Sequence, residues 1–367
     1  MNPGWLCAAL LLVLPCAGVT ADGAMWNTTQ VGEIGYLPLD DIRSFYKLMP
    51  IPQPRESASR AVGNGSVTLV FGPEPRELRI QGIRCVLSHP VRISEKGDLL
   101  VSTTDLTKLI DPILRPTYIA NRRAVQTVVL DAGHGGHDTG TVTEQVREAD
   151  VALLVASKLS AELRKRGMEV RLTRSDNRHM SDQSRVDAVS GCAAPIFISL
   201  HLNQGRSDTR GAETYTIAPA TEGSDSRPGN AHDAANAALS VALQAALVGK
   251  AEAKDGGCRR SHYSLLNSLN CPAARVELGY ASHTEEAELL NSDEYQNRLA
   301  LALADGISAF ALAMNPDTTL KALPPPPPPP PAEPTKVEAP KKPTQPKKAA
   351  PRKRKPAPRR SNTRRRK

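Results

Sequence analysis

The chain has 367 residues, room for about two domains of roughly 100–200 residues each. At 40% hydrophobic and 23% charged it can bury a core, which excludes a wholly disordered chain, and aromatics at 4% argue against a base-stacking nucleic-acid platform. The net charge of +9 is unevenly placed: residues 332–367 carry 15 Lys plus Arg against 2 Glu, so the remainder is mildly acidic and any polyanion-binding argument belongs to that tail.

Leu6 to Val19 is an apolar run of signal-peptide length, followed by Val19-Thr20-Ala21 as a cleavage pattern. Residues 1–21 therefore read as an export signal, with the mature chain starting near Asp22. No Lys or Arg precedes the run; retention as an anchor is one alternative, and Cys16 raises lipidation, although Val13-Leu14-Pro15 matches a lipidation box poorly. No other long apolar run suggests an internal membrane span. Beyond the signal stand Cys85, Cys192, Cys258 and Cys271, which allow three disulfide pairings or four buried thiols, and whose spacing fits no zinc finger.

Residues 26–120 read as a small α+β domain. Val67 to Phe71, Glu77 to Ile80 and Leu99 to Ser102 are expected strands, separated by turn residues at Gly63-Asn64-Gly65, Gly72-Pro73 and Lys96-Gly97-Asp98. Leu37 to Leu48 reads as a helix with Asp40 and Asp41 in its first turn. Residues 125–315 alternate strand and helix, the pattern of an α/β fold with a twisted, mostly parallel sheet flanked by helices. Expected strands are Val128 to Leu130, Glu169 to Leu172, Ile196 to Leu200 and Ala274 to Leu278. Expected helices are Asp150 to Arg166, apolar at Val151, Leu154, Val155 and Leu159; Ala231 to Val248; and Gln296 to Met314, apolar at Leu299, Leu303, Ile307 and Phe310. Residues 316–367 are expected to be disordered: Pro324 to Pro331 form a polyproline II spacer of about 25 Å, and the Lys/Arg/Pro/Ala tail cannot bury enough apolar area to fold.

Open α/β sheets bind ligands at strand ends, so the polar residues there carry the chemistry. Leu130 leads into Asp131-Ala132-Gly133-His134-Gly135-Gly136-His137-Asp138-Thr139-Gly140, and Ser199-Leu200 into His201-Leu202-Asn203. Glu148 lies just before the first helix, and Arg275-Val276 leads into Glu277. Two imidazoles and a carboxylate, His134, His201 and Glu148, have the composition of a three-ligand zinc site with an open fourth position. A metal there would lower the pKa of water toward about 7 and polarise a carbonyl, and Glu277 could move the proton to the leaving nitrogen. Metal-assisted hydrolysis of an amide or ester follows, with strand-end structural histidines as the competing reading.

From about Thr127 to Leu312 the chain resembles the zinc-dependent N-acetylmuramoyl-L-alanine amidases of peptidoglycan. The matching segments are Asp131–Gly140 with Glu148, Leu172-Thr173-Arg174, Arg185, Ser199–Asn203, Arg210–Tyr215 and Cys271–Tyr280. The resemblance implies that His134, Glu148 and His201 hold one Zn²⁺, that Glu277 is the general base, and that the bond cut lies between the muramic acid lactyl group and the stem-peptide L-Ala. Arg185 either orients substrate or braces the sheet, and Asn203 shares its motif. Ala132, Thr139, Ala149 and Ser282-His283 depart from the family's usual residues without removing a ligand. His137 and His283 read as exposed or substrate-facing. Thr216 to Ala231 is too short for the plugging helix that some members carry. More weakly, Ile34–Leu39, Gly82–Leu87 and Asp98–Ser102 resemble the small domain named for the N-terminal part of copper amine oxidases, which implies wall association, with plain scaffolding as the alternative.

The expected partners are peptidoglycan, an anionic wall polymer or membrane headgroups at the tail, and a protein activator; nucleic acid is disfavoured by an exported location in the periplasm or cell envelope. Two rivals stand: a zinc peptidase cutting within the stem peptide, and a non-catalytic wall- or polyanion-binding protein.

Overall fold

The structure, a computed structural model, describes residues 26, 28–54, 58–218 and 230–317. The expected signal, most of the Thr216–Ala231 connection, the proline spacer and the basic tail lie outside the described residues.

The chain begins with β1 (Thr29–Val31), β2 (Ile34–Pro38), α1 (Leu39–Phe45), β3 (Met49–Ile51), β4 (Arg60–Gly63), β5 (Thr68–Phe71), β6 (Glu77–Ile80), β7 (Ile83–Val86), β8 (Arg92–Ile93) and β9 (Leu99–Ser102). A helical stretch follows, α2 (Thr103–Asp105) continuing through 106–110 into α3 (Asp111–Leu114). Ser102 starts it by accepting a hydrogen bond from the Asp105 amide, a side-chain N-cap. Strands β1, β2, β9 and β8 form a small antiparallel sheet, while β3 to β7 form antiparallel hairpins. Their alternating burial sends Leu69, Phe71, Leu78 and Ile80 to the inside.

The second segment comprises β10 (Thr127–Ala132), α4 (Glu148–Lys165), β11 (Glu169–Leu172), α5 (Asp182–Asp187), β12 (Pro195–Asn203), β13 (Ala212–Ile217), α6 (Asp233–Lys250), β14 (Asp255–Ser261), α7 (Ser264–Asn267), β15 (Ala273–Tyr280), α8 (Thr284–Leu290) and α9 (Asp293–Met314). Strands β11, β10, β12 and β15 run parallel, but β13 pairs antiparallel with β15 before β14 returns parallel to β13. The sheet of this segment is therefore mostly parallel, as expected, and the one antiparallel pairing of β13 with β15 makes it mixed. The reversal arises because β13 follows β12 through a short loop, not a crossover helix of the kind parallel neighbours need.

Parity along these strands builds the molecule. Val128 and Leu130 of β10, Ile196, Ile198, Leu200 and Leu202 of β12, and Ala274, Val276 and Leu278 of β15 all enter the large core beneath α4, α6 and α9. Leu299, Leu303, Ile307 and Phe310 of α9 meet them as the 3.6-residue period predicts. Leu154 of α4 does not: it is 48% exposed, one position outside the buried stripe of Val151, Val155 and Leu159. The opposite parity, Val129, Phe197 and Ala273, packs against Leu266, Leu269 and Cys271 in a smaller cluster on the other face.

The two segments share one sheet. Strand β14 pairs parallel with β7 at Cys258 and Cys85, so eleven strands run continuously from β11 to β3. Asp255 accepts from the Arg84 amide (2.8 Å), and Arg260 donates to Ser88 Oγ and the Lys108 carbonyl (2.7 Å each). Ala237 and Cys258 belong to the first segment's core. All four described cysteines are free thiols.

Candidate metal centre and its cleft

The same parity that hides Leu200 and Val276 puts Asp131, Ser199, His201, Arg275 and Glu277 on the other face of the sheet, toward the carboxyl ends of β10, β12 and β15. An open cleft of about 310 Å³ lies there, lined by His134, His201, Tyr263 and Arg275 among others.

Glu148 is the first residue of α4, where the helix N-terminus favours a carboxylate. Its Oε1 lies 2.9 Å from His201 Nδ1 and 3.0 Å from His134 Nε2, and accepts the Leu202 amide at 3.0 Å; Oε2 accepts the Thr141 amide at 2.9 Å. One ligand atom from each of His134, Glu148 and His201 lies within 4.8 Å of the others. Asp138 holds the far side of His134, with both carboxylate oxygens 2.9 Å from Nδ1, which leaves Nε2 for the centre.

Burial alone would raise the Glu148 carboxyl, but the hydrogen bonds from His134 and His201 override it and hold the group far below the ordinary carboxylate range. The Glu148 hydrogen bond raises His134 against the opposing effect of burial. Burial, with the Arg275 charge adding to it, lowers His201 against its Glu148 bond. The buried imidazole of His201 is thus held neutral, the form that binds a metal.

Space is created by glycine. A Cβ at Gly133 would fall 2.2 Å from His201 Cε1, and one at Gly140, where φ is +61°, would fall 2.7 Å from both Glu148 Oε2 and His134 Cδ2. His134 itself has φ 59°, uncommon for a side-chain-bearing residue, and its carbonyl is fixed by Arg185 Nη2 at 2.9 Å.

Arg185 is buried and spends its guanidinium on the scaffold: Nη1 donates to Asp131 and to the Ala132 carbonyl (2.9 Å). Asp131 also accepts Thr173 Oγ1 (2.8 Å) and Ser199 Oγ (2.6 Å). Arg174, fully buried, donates to the carbonyls of Ala132, Gly133 and Ala149 at 2.7–2.9 Å. These two arginines shape the His134 loop from behind.

Glu277 stands beside His201 in register, and Glu213 of β13 stands on its other side. Glu277 Oε1 accepts from Arg275 Nε at 2.5 Å; Oε2 is buried and without a hydrogen-bond partner among the described residues. Asn203 does not reach the three converging ligands: its Nδ2 donates to Glu213 Oε2 at 2.9 Å, where Tyr215 also donates at 2.7 Å. Arg259 pairs with Glu213 Oε1 at 2.8 Å. His137 is exposed against His179, ring centroids 4.2 Å apart, and His283 caps α8.

Sequence reasoning assigned no role to Asp138, Arg275, Glu213 or Tyr263. For Arg275 and Glu213 a signal was present: each is a polar residue in a buried strand at the parity of the site face. Asp138 follows His134 by four residues in a glycine-rich turn, whose folding alone determines the contact. Tyr263 offered none, because the loop that brings it is distant in sequence.

Fold and site together define a mixed α/β sheet with a His-Glu-His centre fit for a borderline metal such as zinc. Residues 128–309 match the N-acetylmuramoyl-L-alanine amidase family, and the chain belongs to it. Over 185 residues it is 31% identical to the uncharacterized protein YqiI of Bacillus subtilis (strain 168), covering 50% of this chain and 84% of YqiI. It is 26% identical to the N-acetylmuramoyl-L-alanine amidase LytC of the same organism over 50% of this chain, and spans only 35% of LytC. The probable cell wall amidase LytH of Staphylococcus epidermidis (strain ATCC 12228 / FDA PCI 1200) is 28% identical over 50% of this chain, which spans 58% of LytH. Among solved structures, the catalytic domain of CwlV, an N-acetylmuramoyl-L-alanine amidase from Bacillus (Paenibacillus) polymyxa var. colistinus, is 29% identical with a TM-score of 0.45, over 51% of this chain and 98% of that one.

Proposed function

We propose that this protein is an exported zinc amidase of the cell envelope that cuts peptidoglycan between the muramic acid lactyl group and L-Ala. The observation that carries the reading is the convergence of His134, Glu148 and His201 within 4.8 Å at the strand ends, in a chain of this family.

His134, Glu148 and His201 would hold the metal, with Asp138 fixing the His134 ring. Zinc, when bound, supplies Lewis acidity at the reacting carbonyl and makes water a stronger nucleophile near neutral pH. Glu277 is the general base: its Oε2 is the oxygen left free to take a proton from attacking water and return it to the departing L-Ala nitrogen. Arg275 orients that carboxylate through Oε1. Arg185 braces the loop, since both its Nη nitrogens donate to the scaffold, to Asp131 and to the Ala132 and His134 carbonyls. Asn203 acts one step away, by fixing Glu213.

The test is mass analysis of products from purified sacculi incubated with the protein, with and without chelator. Intact stem peptides bearing a free L-Ala amine, lost on chelation and restored by zinc, are expected. Cuts inside the stem would replace the reading with a zinc peptidase, and wall binding with no product under any metal would replace it with an adhesion role.

A further inference from the structure

The cleft contains a cation that neither the scaffold nor the general base uses up. Arg185 and Arg174 are consumed by backbone carbonyls and Asp131. Arg275 is different. Its Nε is pinned on Glu277 Oε1 at 2.5 Å, and its guanidinium carbon lies 4.8 Å from the centroid of the Tyr263 ring. Tyr263 is itself braced edge-on by Tyr215, at 5.6 Å between centroids. One edge and one face of the guanidinium are therefore held, while Nη1 and Nη2 take no hydrogen bond among the described residues, on a side chain 23% exposed that lines the cleft. A planar, pre-oriented fork with two unused nitrogens matches a carboxylate in bidentate geometry. Arginine held on an aromatic face has already lost the freedom that binding would otherwise cost.

Position narrows the ligand further. The guanidinium abuts Glu277, which stands beside His201 in register, and it lines the same cleft as His134 and His201, so it borders the place where an amide would react. We infer that Arg275 anchors a free carboxylate on the peptide side of the substrate, one residue beyond the scissile amide. This deepens the amidase reading and rests on it. The substrate class it selects is a muramoyl peptide whose second residue keeps its carboxylate unamidated.

The experiment compares two probes on the zinc-loaded full chain: muramoyl-L-Ala-D-Glu, and the same dipeptide with the D-Glu α-carboxylate amidated. The wild-type kcat/KM ratio is expected to favour the acid by about tenfold, a typical gain for a charge-assisted pair. Arg275→Leu should bring the ratio close to one, and Arg275→Lys should keep part of the preference. A ratio near one in the wild type, or one that Arg275→Leu leaves unchanged while kcat falls alike on both probes, would overturn the inference and reduce Arg275 to a positioning residue for Glu277. Titration calorimetry of both probes on chelated protein reads the same preference without turnover. Absence of hydrolysis therefore sinks the amidase reading alone, whereas equal Kd values for the two probes sink the carboxylate anchor.

Discussion

Asp138 touches His134 on the nitrogen that faces away from the centre, and that contact decides which nitrogen faces inward. A carboxylate behind a ligating imidazole typically contributes 10–100-fold to metal affinity. Asp138→Asn should therefore weaken zinc binding by about that factor with the fold intact, as read by competition with a chromophoric chelator. Unchanged affinity would mean that the ring is oriented by the loop alone. Glu148 carries a pH signature as well. Its carboxyl titrates far below the free glutamate value of about 4.3, because the two histidine hydrogen bonds outweigh the burial that opposes them. The unfolded chain takes the proton first, so the stability this carboxylate supplies is complete above about pH 4.3 and is lost as pH falls toward its depressed folded value. In chelated protein, Glu148→Gln should flatten the acid limb of the unfolding curve below about pH 4.3 relative to wild type. Parallel acid limbs would show that the two hydrogen bonds do not form without metal.

At the scale of elements, the period of a helix or strand was readable where one face is buried by neighbours close at hand. Helix α9 shows this: Leu299, Leu303, Ile307 and Phe310 recur at helical spacing and all are buried. Leu303→Ala should cost about 2–5 kcal/mol in denaturant unfolding, the range for emptying a fully buried leucine site. A loss below about 1 kcal/mol would mean that α4 and α6 close over the gap. Leu154 is exposed because an apolar residue at the margin of a stripe is placed inside or outside by what packs there, not by its period. Strands β13 and β14 escaped recognition because their residues, Ala212–Ile217 and Asp255–Ser261, are largely polar: the site face of β13 carries Glu213, whose partners Asn203 and Arg259 come from β12 and β14.

Across the whole molecule, the sheet runs without a break from β11 to β3 through the β14–β7 pairing, and the described residues belong to one compact unit. Separate reading of 26–120 and 125–315 follows the change in sequence pattern, whereas Arg260 and Asp255 bind the two together across the seam. Scanning calorimetry of the metal-free protein should show one cooperative transition, because neither segment can lose its strands without uncovering the other's core at Ala237 and Cys258. Two separated transitions would show that the first segment unfolds on its own.

What the sequence determined by itself is local: the alternation Ile196-Phe197-Ile198-Ser199-Leu200-His201 states that His201 faces away from the apolar core, and the glycines around His134 state that the backbone turns sharply at a strand end. Those two facts, with Glu148 just before a readable helix, were enough to nominate the centre that the fold assembles. Tertiary structure alone decided which strands pair, that β13 runs antiparallel, that β14 continues into β7, and that Arg275 takes Glu277 on one side and Tyr263 on the other. The reason is physical. Periodicity is imposed residue by residue through backbone geometry, but the partner of a strand edge or of a guanidinium is chosen by contacts between segments far apart along the chain, whose cost in loop closure and gain in burial are balanced over the whole molecule.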